Sequence, residues 1–398
     1  MPDYLRAEDI ALTHPDLYLQ SLGLLIKPAG PNCNLRCRYC FYLPKHKIYP
    51  GTGHGMSREV MHSLIGQYMQ MAGPNPSFGW QGGEPTLLGV EFFRRVVAVQ
   101  AQKAKPGQAI ANGLQTNGVL IDEEWARLLR RYNFLVGVSL DGPKYVHDHY
   151  RVEANGRGTF DTVTAAIETL RRHGVEFNVL CMVTDFSASK GAEIYEFLVE
   201  RDIRYLQFIP CVERHPKTGE LRPYSCDPEE YGRFLCDVFD RWSAEIPAQT
   251  YVRMLDDLLM VHMGHPAPSC ILRKTCGDYL LVEHNGDVYP CDFFVEPEYL
   301  LGNLLETPLR EIALSDKFMD FRFRKAEYGA QCENCPWQEF CYGGCQRHRI
   351  TGNRQVHGPS YFCKSYRMLF EHSQDRYREI VQELKSRGIE GPQAPAQP

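Results

Sequence analysis

Between residues 21 and 245, short runs of apolar and β-branched residues alternate with longer stretches whose apolar positions recur every three or four residues. The short runs predict strands at 22–27, 78–81, 110–115, 135–140, 177–183 and 205–209. The longer stretches predict helices at about 58–71, 90–103, 123–131, 160–173, 189–201 and 228–244. Six strand-helix units in series require a parallel sheet, and the right-handed crossover rule leaves few other topologies. The expected fold is α/β, a partial (β/α)6 barrel of the TIM type, with its chemistry at the carboxyl ends of the strands.

After about residue 246 the alternation stops. Gly, Pro, Cys and short extended pieces such as 279–283 run through to Cys363, with too few apolar runs for a large core. The expected division is an N-terminal segment 1–20, a core barrel 21–245, a connecting segment 246–269 and a cysteine-rich domain 270–363. A final amphipathic helix 364–387 and a Pro- and Gln-rich disordered tail 388–398 complete it.

Charge narrows the function. The chain carries 44 basic and 49 acidic side chains, a net of −5, with both signs interspersed. No basic block is long enough to track a phosphate backbone, which sets nucleic acid aside. Asp3, Arg6, Glu8, Asp9 and Asp16 break any apolar signal-peptide core at the N-terminus. No window approaches the ~20 apolar residues that span a bilayer. A soluble, cytoplasmic protein is expected, without membrane attachment. Its 15 cysteines, in a chain lacking an export signal, point to metal rather than disulfides.

Cys33, Cys37 and Cys40 stand on one short loop after the first predicted strand. Three thiolates can hold three irons of a [4Fe-4S] cube and leave the fourth open to a substrate. Tetrahedral structural zinc would require a fourth ligand, and none is adjacent. The stretch Cys33-Asn-Leu-Arg-Cys37-Arg-Tyr39-Cys40 resembles the signature of the radical S-adenosylmethionine (SAM) superfamily. That resemblance implies that the open iron binds SAM and that an electron from the cluster cleaves it to a 5′-deoxyadenosyl radical. Gln81-Gly82-Gly83-Glu84-Pro85 resembles the family motif that receives the SAM amino group; a Gly pair taken alone is an ordinary turn. Gln115-Thr116-Asn117-Gly118 and Ser139-Leu140-Asp141-Gly142 look like positions around the SAM ribose and carboxylate, with Ser139 the more direct contact and Arg151 following. Asn117-Gly118 and Asp141-Gly142 also read as plain turns. Tyr39 and Val212, the latter from the Ile209-Pro210-Cys211-Val212 segment expected at the adenine, complete the implied SAM set. His147 and His149 read as a solvated loop pair.

Eight cysteines follow in the C-terminal part, twice the four of a fully ligated cluster. Their spacing resembles the SPASM extension of radical SAM enzymes. The resemblance assigns Cys270, Cys276, Cys291 and Cys345 to one auxiliary cluster and Cys332, Cys335, Cys341 and Cys363 to another, giving three [4Fe-4S] clusters in all. Two zinc ribbons are the alternative, and either would staple a region short of core. Cys181, Cys211, Cys226 and Cys236 read as packing residues, with Cys211 alone near the active site.

Within this group the chain resembles anaerobic sulfatase-maturating enzymes. The likeness rests on Cys33 to Tyr42, Gln81-Gly82-Gly83-Glu84-Pro85-Thr86, Tyr289-Pro290-Cys291-Asp292-Phe293 and Cys341-Tyr342-Gly343-Gly344-Cys345. It implies oxidation of a Cys or Ser in a sulfatase Cys/Ser-x-Pro/Ala-x-Arg motif to Cα-formylglycine. Asp292 is then the general base with Tyr42 beside it, one auxiliary cluster takes the second electron, and flavodoxin or ferredoxin is the external donor. An Asp beside a ligating cysteine also reads as a turn cap or a ligand-orienting group. The chain has Gly344-Cys345-Gln346-Arg347-His348-Arg349 where the family often has Gly-Cys-Pro-Lys-His-Arg, a difference expected to bear on surface or partner contacts. Crosslinking of a ribosomally made peptide is a second reading, against which stands the lack of a leader-binding domain before the first strand. A non-catalytic electron carrier or zinc-stapled interaction module is a third, and it has no use for the Gly82-Gly83-Glu84-Pro85 loop.

Overall fold

The structure, a computed structural model, describes residues 13–51, 53–215, 217–245, 249–350 and 358–389. Most of the tail expected to be disordered, and the first twelve residues, lie outside them. Among the described residues ten strands occur in chain order: β1 Gly23–Lys27, β2 Ser77–Trp80, β3 Ala111–Thr116, β4 Leu135–Ser139, β5 Phe177–Val183, β6 Tyr205–Pro210, β7 Tyr251–Val252, β8 Tyr279–Glu283, β9 Asp287–Tyr289 and β10 Gly302–Asn303. The six predicted strands match β1 to β6 with ends displaced by a residue or two. The chain divides into two compact units, each assembled from separate stretches of sequence.

The first unit holds the described residues up to Leu140, with His147–Phe177 and Gly277–Arg324. Its strands run in the order β10-β9-β8-β1-β2-β3-β4. From β8 to β4 every pairing is parallel, and β9 and β10 are antiparallel additions. The core behind β2 is aromatic: Phe78 and Trp80 are buried, and Trp80 meets Phe93 of the helix Gly89–Lys103 edge-on at 5.6 Å. The polar side chains Asn112 and Gln100 buried there are satisfied, since Asn112 Oδ1 accepts from Trp80 Nε1 and Gln100 Nε2, both at 2.9 Å. Helix starts follow their sequence signals, with Ser57 capping Arg58–Met71 and Asp122 capping Glu123–Arg131.

β8 comes from the cysteine-rich stretch and pairs with β1 over five residues, Gly23 opposite Tyr279 through Lys27 opposite Glu283. That stretch therefore completes the first unit's sheet instead of building a large core. The physical reason is the run Leu280-Leu281-Val282, fully buried on both faces as parallel strands require.

The second unit holds Asp141–Val146, Asn178–Cys276 and the described residues from Lys325 onward. Here β5, β6 and β7 pair in parallel. The last helix, Cys363–Ser386, lies along Pro228–Ala244, and Gly232 permits the contact: a Cβ there would fall 2.6 Å from Met368 Sδ. A helix at Arg253–His262 stands where only a connector was expected, with Leu255 and Leu258 buried three positions apart. Among the described residues no helix is long and apolar enough to cross a membrane.

The solvated-loop reading of His147 and His149 is corrected. Both lie on the helix Lys144–Tyr150. His147 is fully buried with Nε2 3.0 Å from Thr159 Oγ1, while His149 is exposed. An i, i+2 pair on a helix points to different faces.

Candidate active site

At the carboxyl end of β1 the chain turns into the loop that carries Cys33, Cys37 and Cys40. All three thiols line one cavity, together with Leu35, Tyr42, Leu43 and Gly83. Loop shape is set by backbone bonds to a neighbouring segment, Arg36 N to Val152 O at 2.8 Å and Arg38 N to Tyr150 O at 3.3 Å. The same segment brings Tyr39 and Arg151 together, with the guanidinium 5.5 Å from the ring centroid and Tyr150 edge-on at 5.8 Å. Burial pushes the Cys33 thiol up to about 12 and raises Cys40, against which Arg151 and Lys27 act. Ionised thiols in this pocket require a compensating cation, as an iron cluster provides.

The opposite wall is Gln81-Gly82-Gly83-Glu84, after β2. Gly83 adopts φ +51°, and a Cβ there would lie 2.0 Å from Asn32 O, so only glycine lets this loop seat against the cysteine loop. Gly82, at φ +100°, allows the Lys27 stem to pass. Glu84 is buried and serves the loop itself. Its carboxylate accepts from Thr86 N (3.0 Å), Thr86 Oγ1 (2.6 Å), Thr116 Oγ1 (2.7 Å) and Asn117 N (2.7 Å), bonds that oppose the upward push of burial on its pKa. Asn117 Nδ2 in turn donates to Asn34 Oδ1 at 2.8 Å and lies 3.7 Å from Cys33 Sγ. Ser139 Oγ, at the end of β4, accepts from Gln115 Nε2 at 3.1 Å. Of the implied SAM residues, Val212 alone belongs to the second unit, just after β6.

Asp292 begins a short 3-10 turn after β9 and is buried. Its carboxylate forms an ion pair with Lys27, which is 1 % exposed, and accepts from Gln81 Nε2 at 3.4 Å. The Lys27 ammonium also sits 4.5 Å from the centre of the Tyr42 ring. Tyr42 donates to Glu283, the register partner of Lys27, and burial with that carboxylate raises the phenol well above its ordinary pKa. Lys27 and Glu283 were not singled out from the sequence, although each is a charge ending an otherwise apolar strand. Asn34 was missed as well and carries no such signal.

In the second unit Cys332, Cys335, Cys341 and Cys363 line a single pocket with Trp337, Tyr366 and Phe370. Cys270, Cys276 and Cys345 share this unit with Lys325, whose buried ammonium donates to Cys270 O; burial lowers its pKa and the three thiols oppose that. Cys291 belongs to the first unit, with the Tyr279 hydroxyl 3.3 Å from its sulfur. Among the described residues no group of three or more His, Cys, Asp or Glu side chains closes on a single-ion position. The expectation for the Gln346-Arg347 departure is corrected. Gln346 is buried and donates to Cys276 Sγ at 3.4 Å, and Arg347 pairs with Glu213 at 3.1 Å.

Comparison with known proteins adds the family. The radical SAM superfamily matches residues 28–198 and an iron-sulfur cluster-binding domain, SPASM, matches residues 270–336. A cysteine-type anaerobic sulfatase-maturating enzyme from Clostridium novyi is 35 % identical over 93 % of this chain and all of its own. The chain belongs to the anaerobic sulfatase-maturating enzymes. It is thus a radical SAM oxidoreductase, whose radical SAM domain implies a [4Fe-4S] cluster with SAM and whose SPASM domain suggests further clusters. A serine-type sulfatase-maturating enzyme from Bacteroides thetaiotaomicron is 36 % identical, covering 89 % of this chain and 90 % of its own. The solved structure of native anSMEcpe with bound AdoMet and Cp18Cys peptide superposes with a TM-score of 0.85 at 36 % identity, covering 91 % of this chain and 99 % of the other.

Proposed function

We propose that this enzyme oxidises an active-site Cys or Ser of a sulfatase, within a Cys/Ser-x-Pro/Ala-x-Arg motif, to Cα-formylglycine. The observation that carries the reading is Lys27, which pairs with Asp292 and sits 4.5 Å from the ring centre of Tyr42, a residue that lines the cavity of Cys33, Cys37 and Cys40. One buried cation thus ties a carboxylate to the cysteine triad.

When bound, SAM and three [4Fe-4S] clusters supply a hydrogen-abstracting 5′-deoxyadenosyl radical and an acceptor for the second electron. Cys33, Cys37 and Cys40 hold the SAM cluster. Cys332, Cys335, Cys341 and Cys363 hold one auxiliary cluster, and Cys270, Cys276 and Cys345 hold the other, whose fourth ligand the family resemblance assigns to Cys291. Tyr39, Gln81, Gly82, Gly83, Glu84, Asn117, Ser139 and Arg151 form the SAM site, to which the family resemblance adds Val212. The glycines admit backbone contact, Arg151 adds charge, and Glu84 fixes the loop. Asp292 accepts the substrate thiol or hydroxyl proton, with Lys27 and Gln81 orienting its carboxylate and Tyr42 bracing Lys27. Flavodoxin or ferredoxin is the proposed electron donor.

The test is anaerobic reconstitution, reduction, and addition of SAM with a Cys-x-Pro-x-Arg peptide. Release of 5′-deoxyadenosine together with the mass change from Cys to formylglycine is expected. SAM cleavage with an unaltered peptide would reject the substrate while retaining the enzyme class. Asp292→Asn should keep SAM cleavage and lose product by about 10²-fold or more. An unimpaired variant would assign the base to another group.

A further inference from the structure

Lys325 lies in the second unit and has no accessible surface. Its ammonium donates to three carbonyls of one short turn, Cys270 O, Ile271 O (3.3 Å) and Arg273 O. These three bonds use the full donor capacity of a lysine. Among the described residues it forms no ion pair with a carboxylate, although a buried ammonium without a counter-charge costs several kcal/mol. The turn it holds begins at Cys270, and Cys276 and Cys345 belong to the same unit. Gln346 Nε2 donates to Cys276 Sγ at 3.4 Å, and Arg349, also buried, donates to Lys325 O at 2.9 Å.

We propose that Lys325 is the positioning and charge-balancing residue of the auxiliary cluster held by Cys270, Cys276 and Cys345, and that its positive charge raises that cluster's reduction potential. The inference rests on the three-cluster reading above. Four thiolates around a [4Fe-4S]²⁺ core leave a net charge of −2, and one-electron reduction to the 1+ core makes it −3. A fixed cation beside the thiolates stabilises the reduced form more than the oxidised form. The cluster then becomes the better acceptor for the electron leaving the substrate carbon. The three carbonyl bonds place that charge by clamping the turn that begins at the ligand Cys270.

The experiment uses full-length chain with Cys33, Cys37 and Cys40 all replaced by Ala, so that only the auxiliary couples remain. Iron and sulfide analysis accompanies an EPR-monitored reductive titration. Lys325→Gln retains donors to the turn but no charge, and should make reduction of one couple at least tenfold less favourable, about 59 mV for one electron. The second couple should stay in place, and Lys325→Arg should restore the first. Loss of about four irons from the Gln variant alone also supports the assignment, because the charge is then needed to retain the anionic cluster. Unchanged potentials in a Gln variant with full iron content, equal shifts of both couples, or loss of about four irons from both variants would overturn it. A parent chain without iron or sulfide would instead reject the three-cluster reading.

Discussion

Lys27 shows how much a single side chain can organise. It is buried at the end of β1 beside two buried carboxylates, Asp292 through an ion pair and Glu283 across the strand register. Removing the cation leaves both acids in a low-dielectric interior. Lys27→Met is expected to destabilise the folded chain by about 3–5 kcal/mol, read from anaerobic urea unfolding. A loss under ~1 kcal/mol would mean that water already compensates these acids. Gly83 makes a second residue-scale prediction. The Cβ of Gly83→Ala would collide with the backbone carbonyl of Asn32, next to Cys33. The variant should bind about four fewer irons after reconstitution and fail to cleave SAM. Full iron content with normal SAM cleavage would show that the two loops need not touch.

At the scale of elements, the helix Arg253–His262 carries a titrating acid at its start. Burial, aided by the neighbouring Asp257, raises Asp256 to about 7, against the hydrogen bond its carboxylate accepts from Val252 N at 2.7 Å. A folded-state pKa above the unfolded value favours the native state at low pH. That contribution is complete below about 4 and is lost as pH rises through about 7. Asp256→Asn keeps an oxygen for Val252 N and removes the titration. The variant should therefore gain on the native chain between pH 4 and 7 by about 4 kcal/mol, then stay level, as followed by thermal unfolding across pH. Parallel curves at all pH values would refute this. The helix itself was legible in Leu255 and Leu258. It was obscured because it is only ten residues long and Gly, Pro and Cys crowd the sequence just beyond.

At the scale of the whole molecule, the cysteine triad with its loops lies in the first unit, and the cavity of Cys332, Cys335, Cys341 and Cys363 lies in the second. Each set of thiols therefore has its own local support. Cys335→Ala should lower iron from about twelve to about eight per chain while the SAM-cluster signal persists under EPR with added SAM. Loss of every cluster together would show that the sites assemble as one.

Local pattern alone determined the parallel strand-helix series, the cysteine triad after the first strand, and the glycine pair after the second. Each is written in neighbouring residues: apolar period, thiol spacing, and the need for backbone without Cβ. Tertiary structure alone decided that β8 pairs with β1. This register sets Glu283 opposite Lys27 and, after the β9 return, brings Asp292 onto the same lysine. Residues more than two hundred positions apart meet there because a strand buried on both faces must find a sheet edge. No local pattern specifies which edge that will be.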